Sequence, residues 1–400
     1  MSWSKGRIGE HCEITSSKRI FYSEYAETGV PFYRSKEIIE RSQGEPISEP
    51  LFISQEKYRE IKERFGVPKH GDMLLTSVGT IGIPYIVKQD DYFYFKDGNL
   101  TWFRNFDEFL LPEYLYYWIR SAEGHGVLYN ATIGSSQKAL TIIALKNIEI
   151  SLPPLQVQRR IVNNLLSYDK LIANNQKQIR LLEEAAHRLY KEWFVDLRFP
   201  GYEDVTVVDG VPDGWKRASL QNICTIIKQV LLPEKIPSGI PYLGLEHMPR
   251  RDICLSNWGN SSDVNSSKYA YCEGDILFGK IRPYFHKVGF ALNSGIASTD
   301  SIIMRAAGGF WGLLLMTVSS EAFVDYSYKT CKEGAKMPRA DWNAVKKYPI
   351  LVAVADVQSK FEEEIDTITK QIKVLAFQNH KLVEARDRLL PKLMSGELEV

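Results

Sequence analysis

Two heptad-patterned segments of equal length, 200 residues apart, constrain the fold of this 400-residue chain more than any other feature. Each has ten seam positions, spaced alternately four and three residues apart as in a coiled coil. The first seam comprises Ile161, Leu165, Tyr168, Ile172, Asn175, Ile179, Leu182, Ala186, Leu189 and Trp193. The second comprises Phe361, Ile365, Ile368, Ile372, Leu375, Asn379, Leu382, Arg386, Leu389 and Leu393. Each helix is expected to run about 33 residues, or about 50 Å at about 1.5 Å per residue.

Each seam contains one asparagine, at the fifth position of the first seam (Asn175) and at the sixth of the second (Asn379). An antiparallel pair brings the two amides together, whereas a parallel pair sets each against an aliphatic side chain at a cost of roughly 1–3 kcal/mol. We therefore predict an antiparallel coiled coil whose register is fixed by an Asn175–Asn379 hydrogen bond. The alternative is that each asparagine lies at a hydrated seam edge. Antiparallel pairing also places Arg386 against Tyr168, with the stem of the arginine packed and its guanidinium in solvent.

The segments that precede the helices are also repeated. The GDMLL run of residues 71–75 returns as GDILF at 274–278, and GVPFY at 29–33 returns as GIPYL at 239–243. Short β-branched and aromatic runs, broken by Gly, Pro, Asn and Asp, predict α+β domains that are rich in strands. We expect a pseudo-twofold internal repeat in which two long helices separate two mixed domains. The predicted boundaries are 1–150 and 198–350 for the β-rich domains, and 151–197 and 351–400 for the helix regions.

Composition excludes several classes of protein. With 50 Lys and Arg against 49 Asp and Glu, the formal charge of +1 excludes a polybasic tail but allows a local basic patch. The longest apolar run is far short of the roughly 20 residues that span a membrane. The start of the chain lacks an apolar signal region, so a cytoplasmic protein with no membrane partner is expected. Five scattered cysteines and seven histidines without ligand spacing argue against disulfides and against a metal site.

Several motifs resemble one family. LPPLQVQ at 152–158 and WFVD at 193–196 resemble the central region of specificity subunits of type I restriction–modification systems. GAKMPR at 334–339 and DRLLPKLMSG at 387–396 resemble that family's second recognition domain and distal region. GDILFGKIRPY at 274–284 and Ser298-Thr299-Asp300 are similar to it as well. The resemblance covers nearly the whole chain.

That resemblance implies a non-catalytic subunit with two target-recognition domains, each reading one half of a bipartite, asymmetric site in double-stranded DNA. The helices would be the spacer and would dock two methyltransferase (modification) subunits, and restriction subunits would join this core. S-adenosylmethionine, ATP and Mg would be bound by the partner subunits and no cofactor by this chain. The system would be prokaryotic and would defend against phage.

Catalytic motifs that an enzyme of this kind needs are missing from the sequence. The adenine methyltransferase motif [DN]PP[FYW] is absent, because the only Pro-Pro pair lies in LPPL at 152–155. The run at 274–280 fits GxxxxGK, but Ile281 follows where a P-loop has Ser or Thr. Two alternatives remain: a non-catalytic coiled-coil scaffold or adaptor without DNA specificity, and a stand-alone methyltransferase.

DNA contacts in the second half are predicted from clustered basic residues. Lys280, Arg282 and Tyr284 alternate, and would share one face if the strand from Ile276 continued; a solvated edge strand is the alternative. Residues 328–347 carry six basic against two acidic side chains, which predicts phosphate contacts. The phosphate-directed candidates are Lys336 and Arg339, and a third candidate loop contains His247, Arg250 and Arg251.

The equivalent positions in the first half predict a less basic DNA surface. The candidates are Tyr33, Arg34 and Lys36; Thr76, Ser77 and Thr80; and Ser135, Ser136, Gln137 and Lys138. Lys138 is expected to contact phosphate, and Gln137 can read adenine through its amide. Differences between the halves are expected if the two half-sites differ in sequence.

The outward faces of the helices are the predicted docking surface for partner subunits. The residues chosen are Phe194, Arg159, Arg180, Glu363 and Lys373. For the aromatic end of the first helix, the alternative is a core position against Phe361, which antiparallel pairing places opposite Trp193.

Overall fold

The computed structural model describes residues 3–45, 47–134, 138–332 and 334–398. The chain forms two compact units: unit 1 is Met1–Ala173 with Leu382–Val400, and unit 2 is Asn174–Lys381. Each unit therefore combines one β-rich region with part of both long helices, whereas the sequence boundaries set the helices apart as regions of their own. The difference arises because the helices bury apolar side chains in the same cores as the strands.

Unit 1 is built from short strands and helices. The strands described there are β1 (Ser4–Arg7), β2 (Glu13–Thr15), β3 (Tyr25–Ala26), β4 (Val30–Tyr33), β5 (Phe52–Ile53), β6 (Met73–Thr76), β7 (Pro84–Ile86), β8 (Tyr94–Phe95), β9 (Leu100–Arg104) and β10 (Glu149–Leu152). The helices are α1 (Ile8–His11), α2 (Ser35–Gln43), α3 (Gln55–Arg64), α4 (Pro112–Arg120), α5 (Ala122–Asn130), α6 (Ile142–Lys146) and α7 (Leu155–Tyr190), the last of which continues into unit 2. The sheets have the orders β2-β9-β6-β7, β3-β5-β4-β8 and β1-β10.

Unit 2 has more strands on a similar plan. They are β11 (Val207–Val208), β12 (Val211–Pro212), β13 (Lys216–Ser219), β14 (Cys224–Ile227), β15 (Val230–Leu231), β16 (Pro241–Leu243), β17 (Cys254–Leu255), β18 (Gly259–Asn260), β19 (Lys268–Tyr271), β20 (Ile276–Gly279), β21 (Val288–Ala291), β22 (Gly295–Ala297), β23 (Ser301–Ala306) and β24 (Pro349–Val352). The helices are α8 (Trp311–Val318), α9 (Glu321–Lys329), α10 (Trp342–Val345) and α11 (Ala355–Met394), which ends in unit 1. The sheets have the orders β14-β23-β20-β21-β17, β15-β19-β22-β16-β18, β11-β12 and β13-β24.

The two units share a strand order. The order β2-β9-β6-β7 in unit 1 corresponds to β14-β23-β20-β21 in unit 2. The second sheet of each unit contains one equivalent parallel pair, β4 with β8 and β16 with β22. In each unit an antiparallel ladder, β1 with β10 or β13 with β24, precedes a long helix. The repeated GD runs lead into β6 and β20, the equivalent central strands.

The long helices bury their seams. None of the twenty predicted seam positions is exposed. Within unit 1, Ile161 near the start of α7 shares a core with Leu393 near the end of α11. Within unit 2, the rings of Trp193 and Phe361 lie 5.8 Å apart, so the end of the first helix meets the start of the second. In each unit the helices therefore run locally antiparallel.

The polar contact in the seam differs from the prediction. Asn175 Nδ2 donates to Gln378 Oε1 at 3.5 Å, not to Asn379. Asn379 Oδ1 is buried without a hydrogen-bond partner among the described residues. The prediction of an Asn175–Asn379 hydrogen bond was therefore wrong, because the longer side chain of Gln378, next to Asn379, reaches the amide of Asn175.

The guanidinium of Arg386 does not lie in solvent as predicted. Its Nη1 donates to Asp169 Oδ1 at 2.6 Å, and the side chain is 12% exposed. The other oxygen of Asp169 accepts from the Tyr117 hydroxyl at 2.7 Å and from Arg120 Nη1 at 3.5 Å. In unit 1 this carboxylate joins α7, α11 and α4.

Candidate nucleic-acid interface

The Gly-Asp pair before each central strand is a structural turn. Gly71 and Gly274 have φ of 86° and 82°, a left-handed conformation that favours glycine. Asp72 accepts from the Lys69 amide at 2.9 Å, and Asp275 accepts equivalently from the Cys272 amide at 2.8 Å. All four residues of β20 are buried. The GxxxxGK pattern therefore spans a core strand, not an open phosphate-binding loop.

In unit 2 the segment after β20 and the loop before α10 pair with each other. Ile281 and Arg339 form an antiparallel bridge. The Arg282 amide donates to the Pro338 carbonyl at 2.7 Å, and the Ala340 amide donates to the Lys280 carbonyl at 2.8 Å. Two stretches that the sequence proposed separately thus form one surface. We call Arg250, Arg251, Lys280, Arg282, Lys336 and Arg339 the basic surface of unit 2.

Hydrogen bonds and burial position Lys280 on this surface. Its Nζ donates to the Thr299 carbonyl at 2.6 Å and lies 3.8 Å from Asp300 Oδ1. Burial lowers the pKa of Lys280, and the charge of Asp300 acts in the opposite direction. Lys336 and Arg339 are both exposed, and Arg339 Nη2 also lies 3.5 Å from Asp300 Oδ1.

The predicted alternation of Lys280, Arg282 and Tyr284 on one strand face was wrong. β20 ends at Gly279, Arg282 has a φ of 49°, and Pro283–Phe285 forms a 3-10 turn. Arg282 Nε is buried without a partner among the described residues. A proline directly after Arg282 cannot continue the ladder, because it lacks an N–H.

The 3-10 turn joins the third candidate loop to the same surface. The Arg250 guanidinium lies 4.2 Å from the Phe285 ring centroid, and the Arg251 amide donates to the His286 carbonyl at 2.9 Å. Arg251 also pairs with Glu321, which reduces its free charge. His247 is less available than predicted, because its Nδ1 accepts from the Gly244 amide at 3.0 Å.

Three candidates of the first half are buried and cannot contact DNA. Tyr33 stacks on Phe93 with ring centroids 4.7 Å apart inside the core. Thr76 Oγ1 accepts from the Ile83 amide at 2.9 Å, and the Ser77 hydroxyl lies 2.7 Å from that of Thr101. These polar side chains cap the end of β6, which explains their position after the GD run.

The other described candidates of the first half are partly or fully exposed. Arg34 and Lys36 pair with acids, Arg34 with Glu37 at 2.5 Å and Lys36 with Glu49 at 3.0 Å. Thr80 is exposed, and Lys138 Nζ lies 3.4 Å from the centroid of the Tyr129 ring. Ser135, Ser136 and Gln137 lie outside the described residues.

The loop architecture of unit 2 recurs in unit 1. Val78 and Ala139 form an antiparallel bridge, and the Leu140 amide donates to the Ser77 carbonyl at 2.8 Å. Hence Lys138 and Thr80 flank the junction that corresponds to the basic surface of unit 2. Around this junction, unit 1 has far fewer charged side chains than the basic surface of unit 2.

The docking candidates divide by exposure. Arg159, Arg180 and Glu363 are exposed. Phe194 was wrong as a docking residue: it is buried, with its ring 4.7 Å from Phe361 and 5.2 Å from Trp215. Lys373 pairs with Glu273 of the same unit, so its charge is not directed outward as predicted.

Sequence reasoning missed residues whose role depends on tertiary contacts. Lys287 donates from Nζ to the Leu245 carbonyl at 2.5 Å. Burial is the main cause that lowers the pKa of Lys287, and the positive charge of Arg250 is the second. The fully buried Gln158 of the LPPLQVQ run accepts from the Leu111 amide at 3.0 Å and donates to the Phe109 carbonyl at 2.7 Å. It therefore fixes α4 to α7. The family-like motif was the only signal for Gln158.

Within the described ranges, no group of three or more His, Cys, Asp or Glu side chains has the arrangement of a metal site. In that same part of the chain, no helix is long and apolar enough to cross a membrane.

Comparisons with known proteins identify chains that are similar to this one. Residues 1–184 match the family described as Type I restriction modification DNA specificity domain. The chain is 27% identical over 350 residues to the Type I restriction enzyme MjaIX specificity subunit of Methanocaldococcus jannaschii, covering 82% of this chain and 78% of that protein. It is 22% identical over 305 residues to the MjaVIII specificity subunit of the same organism, covering 72% and 70%.

A solved structure has the same fold. The S subunit of a type I restriction-modification system from M. genitalium superimposes with a TM-score of 0.58 at 14% identity, covering 98% of this chain and 96% of that one. The matched family model and these relatives are those of DNA-specificity subunits. Over residues 1–184 the chain matches this family of DNA specificity domains, and over 82% of its length it is similar to a type I specificity subunit. This confirms the family that the sequence motifs resembled.

Proposed function

We propose that this chain reads a bipartite, asymmetric site in double-stranded DNA, with one half-site read by each unit. The observation that carries the proposal is the junction at the end of the central strand. Both units build it with the same backbone pairing, but unit 2 places Lys280 and Arg339 where unit 1 has Ser77 and Ala139. Two units that share one fold but present different side chains are suited to bind two half-sites of different sequence.

The long helices are the assembly part of this proposal. The buried seams and the local antiparallel contacts support one antiparallel coiled coil and a pseudo-twofold repeat. Two methyltransferase subunits would dock on outward faces that include Arg159, Arg180 and Glu363, and restriction subunits would join them. S-adenosylmethionine, ATP and Mg belong to those partners in this proposal.

Salt-dependent duplex binding tests the DNA-reading role. We expect the full chain with its methyltransferase subunits to bind duplex DNA with an affinity that falls steeply as salt rises, because phosphate contacts release counterions. Mapping methylated adenines in cells that carry the system identifies the split site. A scaffold without DNA specificity would give neither salt-dependent binding nor a site, and labelled methyl transfer by the isolated chain would indicate a stand-alone methyltransferase.

Single variants separate phosphate contacts from base contacts. Lys336→Ala is expected to weaken binding to all sequences and to reduce the salt slope by about 0.9 for one lost phosphate contact. Lys280→Ala is expected to relax one position of one half-site, at about 1–3 kcal/mol of discrimination. The exposed Lys216 in β13 provides a control of equal charge. Equal loss on every sequence from both variants would contradict this division.

A further inference from the structure

The Asp300 carboxylate lies between two cations of the basic surface of unit 2. Asp300 Oδ1 is 3.8 Å from Lys280 Nζ and 3.5 Å from Arg339 Nη2, and its side chain is 31% exposed. The two cations belong to the separate segments that the antiparallel bridge brings together. The backbone holds the acid in place, because the Lys280 amide donates to the Asp300 carbonyl at 3.0 Å.

Unit 1 has the same backbone contact without any of these charges. The Ser77 amide donates to the Asn99 carbonyl at 2.8 Å, and Ala139 forms the equivalent bridge with Val78. Ser77, Asn99 and Ala139 therefore stand where unit 2 has Lys280, Asp300 and Arg339. The fold accommodates an amide at the position of the acid, so the acid is not a requirement of the architecture.

An acid on a surface that binds a polyanion opposes phosphate contacts. A unit charge about 4 Å away is worth roughly a fivefold change in binding even in water. The carboxylate acceptor of Asp300 beside the donors of Lys280 and Arg339 does, however, have a specific complement in the major groove. Guanine presents two acceptors, N7 and O6, and its paired cytosine presents an amino donor.

We propose that Asp300 is a specificity-determining residue that, together with Lys280 and Arg339, reads a G·C base pair in the half-site bound by unit 2. One or both cations donate to guanine N7 and O6, and the carboxylate accepts from the cytosine amino group. A duplex without this pair offers the carboxylate no donor from a base, so it binds less tightly. This inference rests on the proposed function.

Selection from a pool of random-sequence duplexes tests the inference. We expect sites selected by the full chain to contain an invariant G·C pair in one half-site. Asp300→Asn should relax that pair, with A·T gaining because an amide can pair with adenine N6 and N7. Its affinity for the unselected pool should rise roughly fivefold. Lys280→Ala should relax the same pair, and the other half-site should not change.

Two further variants control for charge and folding. Asp204→Asn removes an exposed acid elsewhere in unit 2 and should leave the selected site unchanged. Asn99→Asp adds an acid at the equivalent place in unit 1 and should lower affinity for the random pool roughly fivefold. If folded Asp300→Asn still selects the same G·C pair, or if both half-sites relax equally, the proposed role of Asp300 is wrong, but the proposed function of the chain is not affected. Failure of the unaltered chain to select any site would instead overturn the proposed function.

Discussion

Replacing Glu183 with glutamine is expected to change how the stability of the chain depends on pH. The Glu183 side chain lies on α7 inside unit 2 and is 5% exposed. One carboxyl oxygen accepts from the Ile253 amide at 3.0 Å and from the Cys254 amide at 3.1 Å. Burial, followed by the charge of Asp252, raises the pKa of Glu183 to about 8, while the two amides and Arg180 oppose the rise.

The sign of the effect follows from proton binding. Between the ordinary pKa of 4.5 and about 8, the folded chain holds a proton on Glu183 that the unfolded chain has released. Folding stability therefore falls as pH rises through this window. The difference in pKa corresponds to about 5 kcal/mol, at about 1.4 kcal/mol for each tenfold change in proton concentration. This value is an upper bound, because local rearrangement admits water to an ionised group.

Urea unfolding of the unaltered chain and of Glu183→Gln, from pH 5 to pH 8.5, measures this effect. Glutamine keeps an oxygen for the two amides and does not titrate, so the variant is expected to gain about 3–5 kcal/mol relative to the unaltered chain across the window. Burial lowers the pKa of His187 to about 4, but that contribution is common to both proteins. Glu184→Gln, an exposed neighbour, is the matched control. A difference in unfolding free energy that stays flat with pH would refute the reasoning.

Substitutions at two other places, the Asp169–Arg386 pair and Phe194, test the packing of the long helices. Asp169→Asn leaves the partly buried Arg386 with only the exposed Asp387 as an acidic partner. We expect this change to cost about 2 kcal/mol in urea unfolding, below the roughly 3–5 kcal/mol of a fully buried pair. Arg386→Met in the same background should recover part of this loss; no recovery would show that the pair is not coupled. Phe194→Ala is expected to cost about 3–5 kcal/mol and to lower the Tm, because it removes a ring from a core. An unchanged Tm with weakened binding of methyltransferase subunits would instead restore Phe194 as a docking residue.

The parts of the fold that could be predicted from the sequence are the long helices, whose apolar residues recur with heptad spacing. Alternate spacings of four and three require one apolar face, and the structure leaves none of these positions exposed. The seam asparagines were harder to predict, because the partner of Asn175 depends on side-chain reach. Gln378 lies outside the seam series, yet it supplies the hydrogen bond. A heptad pattern specifies which residues face inward and does not specify which polar atoms meet.

The candidate site was predictable where loops carry charge and not where strands end. Lys336 and Arg339 are exposed in the loop that local charge singled out. Thr76 and Ser77 have the right chemistry for base contacts but cap a buried strand. Composition cannot separate these two cases, because hydroxyl groups serve both purposes. The pairing of Lys280 with Arg339 across Asp300 joins residues distant in sequence, and local patterns carry no signal for it.

The comparison of the two units indicates where changes in DNA preference should arise. The central strands, the Gly-Asp turns and the backbone bridges are shared, so substitutions there disturb folding in either unit. The side chains at the bridge differ completely in charge, although the backbone contacts beneath them are the same. Positions 99 and 139 in unit 1, with 280, 300 and 339 in unit 2, can therefore change without altering the frame that presents them. A protein that recognises different DNA sequences needs different side chains on the same backbone. We therefore expect these positions, more than the helices, to determine which half-sites the chain recognises.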